Sequence, residues 1–132
     1  MRLRPMPADA AQQVYTLPLE GHTARYNEFK GNRWKESRLK KRDREWVAII
    51  AKSYGIPPAI GKRRVSVEVI LGPRQRSGDE DNWDKSLRDA LKQAKLIKDD
   101  SPKWLEWERI KFVRGKAPAM RIRLEDVPPA PA

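Results

Sequence analysis

The chain contains no cysteine and only one histidine, His22. Without cysteine it has no disulfide, no catalytic thiolate and no cysteine-based zinc site. A single histidine makes a histidine-rich metal site or a Ser-His triad nearly untenable. The catalytic chemistry left to the chain therefore rests mainly on its carboxylates and amines.

Long apolar runs are also missing. The longest, at 46–51, has six residues, far fewer than the roughly 20 that a membrane-spanning helix needs. The N-terminal segment is basic but has no apolar stretch, so we expect no secretory signal there. These features predict a cytoplasmic or nucleoid-associated protein without a membrane partner.

Acidic residues are outnumbered, with 18 Asp and Glu against 29 Lys and Arg and a formal net charge of +11. Such an excess favours a polyanionic partner, most commonly nucleic acid, although a merely solvated basic surface is the alternative. Residues 25–64 hold thirteen basic and four acidic side chains, so most of the excess lies there. The residues predicted to contact DNA are Arg33, Lys35, Arg38, Lys40, Lys41, Lys62, Arg63, Arg64, Arg74 and Arg76.

With 132 residues, 39% of them hydrophobic, the chain should form one domain with a modest core. We place this domain at 13–127. The Pro/Ala-rich segments 1–12 and 128–132 are predicted to be flexible tails.

Periodicity predicts a small α+β domain with one mixed sheet and two main helices. The clearest strand is 64–71, where Val65, Val67, Val69 and Leu71 alternate with polar residues. Further strands are predicted at 14–19, on a sheet edge, at 106–114 and at 120–125, where Met120, Ile122 and Leu124 face inward.

The two main helices are predicted at 36–54 and 82–96, and 22–34 is predicted to be a polar loop. The first helix should bury the side formed by Trp46, Ile49, Ile50 and Ser53. The second should bury a stripe made of Trp83, Leu87, Ala90, Leu91 and Ala94.

A cluster of acidic residues, Asp79-Glu80-Asp81, stands out in this basic chain just before the second helix. In extended backbone Asp79 and Asp81 point to one side, so their carboxylates can converge. A hard divalent cation such as Mg²⁺ relieves their repulsion because it prefers oxygen ligands. Asp100 follows the helix and could supply a third carboxylate.

Lys85 lies four residues after Asp81, so its side chain can reach back over the carboxylates and stabilise a charged phosphoryl transition state. A purely structural interpretation is also open: Asp81 could cap the helix and have no other role. Asp99-Asp100-Ser101-Pro102 could likewise be an ordinary turn.

The segment Asp79-Glu80-Asp81-Asn82-Trp83-Asp84-Lys85, followed by Asp89-Ala90-Leu91 and Asp99-Asp100, resembles the RusA family of Holliday junction resolvases. That family carries a D-x-D-N-x-x-K, D-A-L, D-D pattern at matching spacing. The pattern covers about twenty residues with five or six constrained positions, which makes it far more specific than a lone D-x-D.

The resemblance implies a homodimeric, bacterial or phage-encoded endonuclease that uses Mg²⁺ or Mn²⁺ to cut four-way DNA junctions by paired nicks. It implies that Asp79, Asp81 and Asp100 bind the metal and that Lys85 is catalytic. Asn82 and Asp89 fall on the family's supporting positions, and we add Asp99 to them.

The chain departs from the family at two places. Lys95 stands where the family often has glycine, and residues 22–34 lack the Ser-Asn segment common after the first strand. Substrate preference is therefore open. The alternatives are a nuclease for flaps, forks or duplex, and a non-catalytic nucleic-acid-binding protein.

Overall fold

A computed structural model describes residues 13–128. The predicted tails, 1–12 and 128–132, lie outside the described residues except for Pro128. The described chain is an α+β domain with one mixed sheet, as the sequence predicts. The sheet has five strands rather than the predicted four, and a short third helix joins the two predicted ones. The elements are β1 (Val14–Leu19), α1 (Tyr26–Phe29), α2 (Arg33–Ser53), β2 (Arg63–Leu71), α3 (Asp81–Gln93), β3 (Leu105–Trp107), β4 (Lys111–Arg114) and β5 (Ala119–Asp126).

The sheet is organised around β2, whose alternation of β-branched and polar residues predicted a half-buried strand. β5 pairs with it antiparallel from Arg63↔Asp126 to Ile70↔Ala119, and β3 and β4 pair with its other edge in parallel. Every second residue of β2 is buried under the helices. The inward face of β5, formed by Met120, Ile122 and Leu124, is fully buried, as predicted.

The edges of the sheet follow the prediction in part. Among the described residues β1 pairs with β5 alone and is an edge strand, as its proline suggested. The predicted single strand 106–114 is wrong: it is divided into β3 and β4. Ile110, in the break, is buried, and its N–H donates to the Glu80 carboxylate rather than to β2.

The helix α2 begins earlier than predicted because the Asn32 side chain caps it, accepting the Lys35 N–H at 3.0 Å. Its predicted inner face is confirmed in part, since Trp46 and Ile50 pack against the core, but Ile49 is 66% exposed and Ser53 is exposed as well. The buried stripe is Leu39, Asp43, Val47 and Ala51. The apolar pattern does not predict this stripe because one of its members, Asp43, is acidic. Asp43 is buried because its carboxylate accepts the Ala24 N–H at 2.7 Å.

The predicted polar loop 22–34 is instead partly helical and partly buried. Residues Tyr26–Phe29 form α1, and Phe29 packs with Ala24 and Leu39 in a small second core. This segment lies over α3 and α2 and so covers the start of the candidate site.

The helix α3 buries Trp83, Leu87, Ala90 and Leu91, as predicted. It ends at Gln93, three residues earlier than expected. The chain then turns at Lys95, where φ is 65°, and returns Leu96 and Ile97 to the core. Lys95 is the one non-glycine residue with positive φ in the described part of the chain.

No helix among residues 13–128 is long and apolar enough to cross a membrane.

Replacing Lys95 by glycine should stabilise the fold. The left-handed conformation costs a side-chain-bearing residue about 1–2 kcal/mol, partly offset by the greater chain entropy of unfolded glycine. We expect Lys95→Gly to raise the free energy of unfolding by about 1 kcal/mol, measured by urea denaturation. Lys95→Ala removes the same charge but keeps the strain, so an equal gain in both variants would contradict the explanation.

Candidate active site

The acidic cluster lies where the loop after β2 enters α3. Asp79 and Asp81 line a surface cleft together with Tyr26, Asn27 and Asn82. The Asn82 side chain accepts the Asn27 N–H at 2.8 Å, which fastens α1 across the start of α3. The cleft is therefore formed by two segments: the acidic segment that the sequence predicts as a site, and α1, which it does not predict.

A second cleft lies beside the first, because Tyr26 lines both. It contains Lys85, Asp89 and Asp100, with Glu36 and Lys40 contributed by α2. The residues predicted to act together thus occupy two neighbouring clefts of one surface.

The three predicted metal ligands are not drawn together in this structure. Asp79 and Asp81 line the first cleft and Asp100 the second, and within residues 13–128 no three acidic or histidine side chains are close enough to hold a metal ion. Their chemistry nevertheless fits a hard cation, because all three present carboxylate oxygens on exposed residues.

Ion pairing separates the acidic residues of this region into two groups. Glu80, Asp84 and Asp99 each face a cation, respectively Arg109 at 3.6 Å, Arg88 at 3.7 Å and Lys92 at 3.1 Å. Among the described residues, neither a hydrogen-bond donor nor a salt-bridge cation meets the carboxylates of a second group: Asp79, Asp81, Asp89 and Asp100. The second group contains the three predicted metal ligands.

The two kinds of carboxylate also differ in their surroundings. The Lys92 ammonium and the Ser101 hydroxyl hold the pKa of Asp99 below its ordinary value. Burial raises the pKa of Asp84, and the charge of Asp81 raises it further, against the lowering effect of Arg88. The Asp99 carboxylate is thus held between Lys92 of α3 and Ser101, directly beside Asp100.

Lys85 is exposed one turn into α3, and its ammonium forms no salt bridge within the described chain. An unpaired cation beside unpaired carboxylates is available to a ligand that carries both a metal and negative charge. This is the electrostatic arrangement that a phosphodiester with a bound divalent cation would complement.

The helix-capping alternative for Asp81 is not realised. The N-cap residue of α3 is Glu80, without a side-chain cap, and Asp81 is the first helical residue. Its charge is still favourable near the helix N-terminus, but no backbone N–H in the described residues is satisfied by its carboxylate.

Tyr26 is the residue of this site that sequence reasoning missed. It is 45% exposed, contacts Phe29 edge-on at 5.6 Å and borders both clefts. The helix that carries Tyr26 is hard to predict because its N-cap residue, Arg25, is not a usual capping type.

The loop 72–80 that carries Asp79 is fastened at several points. Trp83 donates its indole N–H to the Ser77 carbonyl at 2.6 Å, and the Arg114 guanidinium donates to the carbonyls of Gly72 and Gln75. His22 adds a bridge: its Nε2 lies 2.8 Å from the Ile70 carbonyl and its Nδ1 lies 3.1 Å from the Gln75 amide nitrogen.

The predicted basic surface is only partly available. Arg33, Arg38, Lys41, Arg74 and Arg76 are exposed and Lys35 and Lys40 are half-buried. Of these, Lys40 pairs with Glu36 and Lys41 approaches Glu45 at 4.0 Å.

The second basic cluster, Lys62-Arg63-Arg64, is mostly used by the fold. Arg63 is 1% exposed, so its prediction as a DNA contact is wrong; its guanidinium bonds Asp126 at 2.7 Å and the Leu96 carbonyl at 2.9 Å. Lys62 and Arg64 share the Glu106 carboxylate. Of the predicted DNA contacts, the exposed ones therefore lie on α2 and in the loop before the aspartates.

Neither a family model nor a curated protein matches the chain.

The His22 bridge should make stability depend on pH. Burial lowers the pKa of His22, and the charge of Arg25 contributes, while hydrogen bonds to Ile70 and Ala119 act in the opposite direction. Because the folded-state pKa lies below the unfolded value, His22 stabilises the fold at pH values above the ordinary imidazole pKa. This stabilisation is lost as the pH falls through the folded-state pKa. Protonated Nδ1 would also face the Gln75 amide N–H.

We therefore expect wild-type protein to exceed His22→Gln in melting temperature at pH 7.5, with the gap narrowing toward pH 5. The pKa of Asp43 is raised by burial, but Asp43 titrates in both proteins and cancels in the difference. A gap that stays constant across this range would show that His22 does not titrate as inferred.

Proposed function

We propose that this protein is a divalent-metal-dependent endodeoxyribonuclease that resolves Holliday junctions or related branched DNA by paired phosphodiester nicks. The observation that carries the proposal is that Asp79, Asp81, Asp100 and the neighbouring Lys85 form no ion pair within residues 13–128, in a chain of net charge +11. The resemblance of this segment to the RusA family supports it.

In this proposal Asp79, Asp81 and Asp100 hold Mg²⁺, or Mn²⁺ in its place. The bound ion would polarise the scissile phosphate and lower the pKa of an attacking water. Asp100 lines the neighbouring cleft, so it would have to approach the other two carboxylates to share one ion with them.

Lys85 offers its ammonium to the phosphoryl oxygens as charge develops on them. The attacking water loses a proton to solvent as it forms a P–O bond, the P–O bond to the leaving oxygen breaks, and that oxygen takes up a proton from solvent. Asn82 keeps α1 against α3, and Asp99, held by Lys92, fixes the start of the turn that carries Asp100.

The exposed cations of α2 and of the loop at Arg74 and Arg76 would contact phosphates on either side of the site. Phosphate contacts position DNA without reading its sequence, which suits an enzyme selective for structure. Paired nicks require two active sites, so we propose a homodimer whose two-fold axis matches that of the junction. We expect it to act in the cytoplasm, where that DNA lies.

Cleavage of a labelled four-way junction and of a matched linear duplex tests the proposal. In Mg²⁺ the wild type should nick the junction in symmetric pairs. Asp81→Asn and Lys85→Ala should each lose about 100-fold or more in rate, as when one preorganised charge is removed from an active site, while both still bind the junction.

Asp84→Asn is the matched control, because it removes a carboxylate from the same turn that is already paired with Arg88. It should cut at close to the wild-type rate. Tight binding without cutting in Mg²⁺ or Mn²⁺ would instead indicate a non-catalytic nucleic-acid-binding protein. Equal cutting of duplex, or preferential cutting of flaps or forks, would keep the nuclease and reject the junction preference.

A further inference from the structure

Trp34 is the most exposed tryptophan of the chain, with 87% of its surface accessible. The other four tryptophans are buried or packed against neighbouring side chains. Trp83 is fully buried, Trp46 packs on the core, and Trp104 and Trp107 lie under lysine or arginine side chains. No ring or cation among the described residues contacts the Trp34 indole.

The fold gives no reason for this exposure. Trp34 lies in the first turn of α2, and the buried stripe of that helix, beginning at Leu39, faces another direction. A large aromatic ring in water forgoes the burial that normally stabilises it. Its ring face is therefore available to a partner.

The surroundings of Trp34 are positively charged. Residues 33–42 contain six basic side chains and one acidic one, Glu36, which pairs with Lys40. Arg38 and Lys41 follow Trp34 at i+4 and i+7, on the same side of the helix, and all three are exposed. Arg33, Lys35 and Arg38 are without an ion pair in the described part of the chain.

We propose that Trp34 stacks on an unpaired base of a DNA strand whose phosphates are held by the cations of α2. An aromatic platform beside a positively charged track is the combination by which proteins hold single strands. In an intact duplex the base faces are covered by their neighbours, so the site selects DNA with unpaired nucleotides, as at a branch or a single-stranded end. The inference deepens the proposed nuclease function by naming a substrate feature.

The test measures binding without metal, by fluorescence anisotropy in EDTA. The probes are a labelled single-stranded oligonucleotide of about 12 nucleotides, within the usual span of such sites, and a duplex of the same length. Trp34→Ala should weaken single-strand binding about 5- to 150-fold, the range for loss of one stacked base. Duplex binding should change far less.

Trp34→Phe keeps an aromatic face and should restore most of the affinity. Ile49→Ala is the matched control, since Ile49 is also an exposed apolar residue of α2, at 66%, and it should bind like the wild type. Fluorescence quenching by the single strand should fall in Trp34→Phe, because the stacked indole is gone.

The inference is overturned if Trp34→Ala matches Ile49→Ala, or if single-strand and duplex binding fall equally. It is also overturned if Trp34→Ala turns a dimer into a monomer by light scattering, since the ring would then belong to a subunit interface. These outcomes are independent of catalysis. A protein that stacks DNA through Trp34 but never cuts it would contradict only the proposed nuclease.

Discussion

The first turn of α3 is fixed by the indole of Trp83, and the candidate site depends on that anchor. Trp83 is fully buried, meets His22 edge-on at 4.9 Å and Phe112 at 5.9 Å, and lies under the Arg25 guanidinium. Its N–H holds the loop at Ser77. One side chain therefore joins the sheet, the loop before the aspartates, α1 and α3.

This anchor explains how charged side chains can be displayed in a defined place. Because Trp83 faces the core, its neighbours Asp81 and Lys85 are turned toward solvent on the same helix. Their mutual arrangement is then set by helical geometry rather than by ion pairs. In the part of the chain that the structure describes, the carboxylates of Asp79, Asp81 and Asp100 meet no cation, although the chain carries an excess of eleven positive charges. A bound cation would stabilise this arrangement.

Much of the fold is predictable from the sequence where a single period governs burial. The alternation of β2, the inner face of β5 and the stripe of α3 are all confirmed because each consists of apolar residues at the expected spacing. The same alternation predicts that Arg63 is buried, because it lies on the inward face of β2 with Val65 and Val67. Its basic character predicts exposure instead, and that prediction is wrong.

The errors arise where a tertiary contact overrides the local pattern. The buried face of α2 includes Asp43, whose carboxylate is satisfied by the Ala24 N–H across 19 residues. The break between β3 and β4 depends on Glu80, a residue 30 positions from Ile110. Of the candidate site, the local part from Asp79 to Lys85 could be predicted; the contribution of Tyr26 and the separation of Asp100 into a neighbouring cleft could not.

The central claim is that Asp79, Asp81 and Asp100 together form one metal site. Titration with Mn²⁺ followed by electron paramagnetic resonance tests it directly, because bound and free ions are counted separately. The account predicts saturable binding that Asp79→Asn, Asp81→Asn and Asp100→Asn each weaken, and that Asp84→Asn leaves nearly unchanged because that carboxylate is already paired with Arg88. Mn²⁺ binding that is unaffected by Asp100→Asn, or absent from the wild type with branched DNA present, would contradict it.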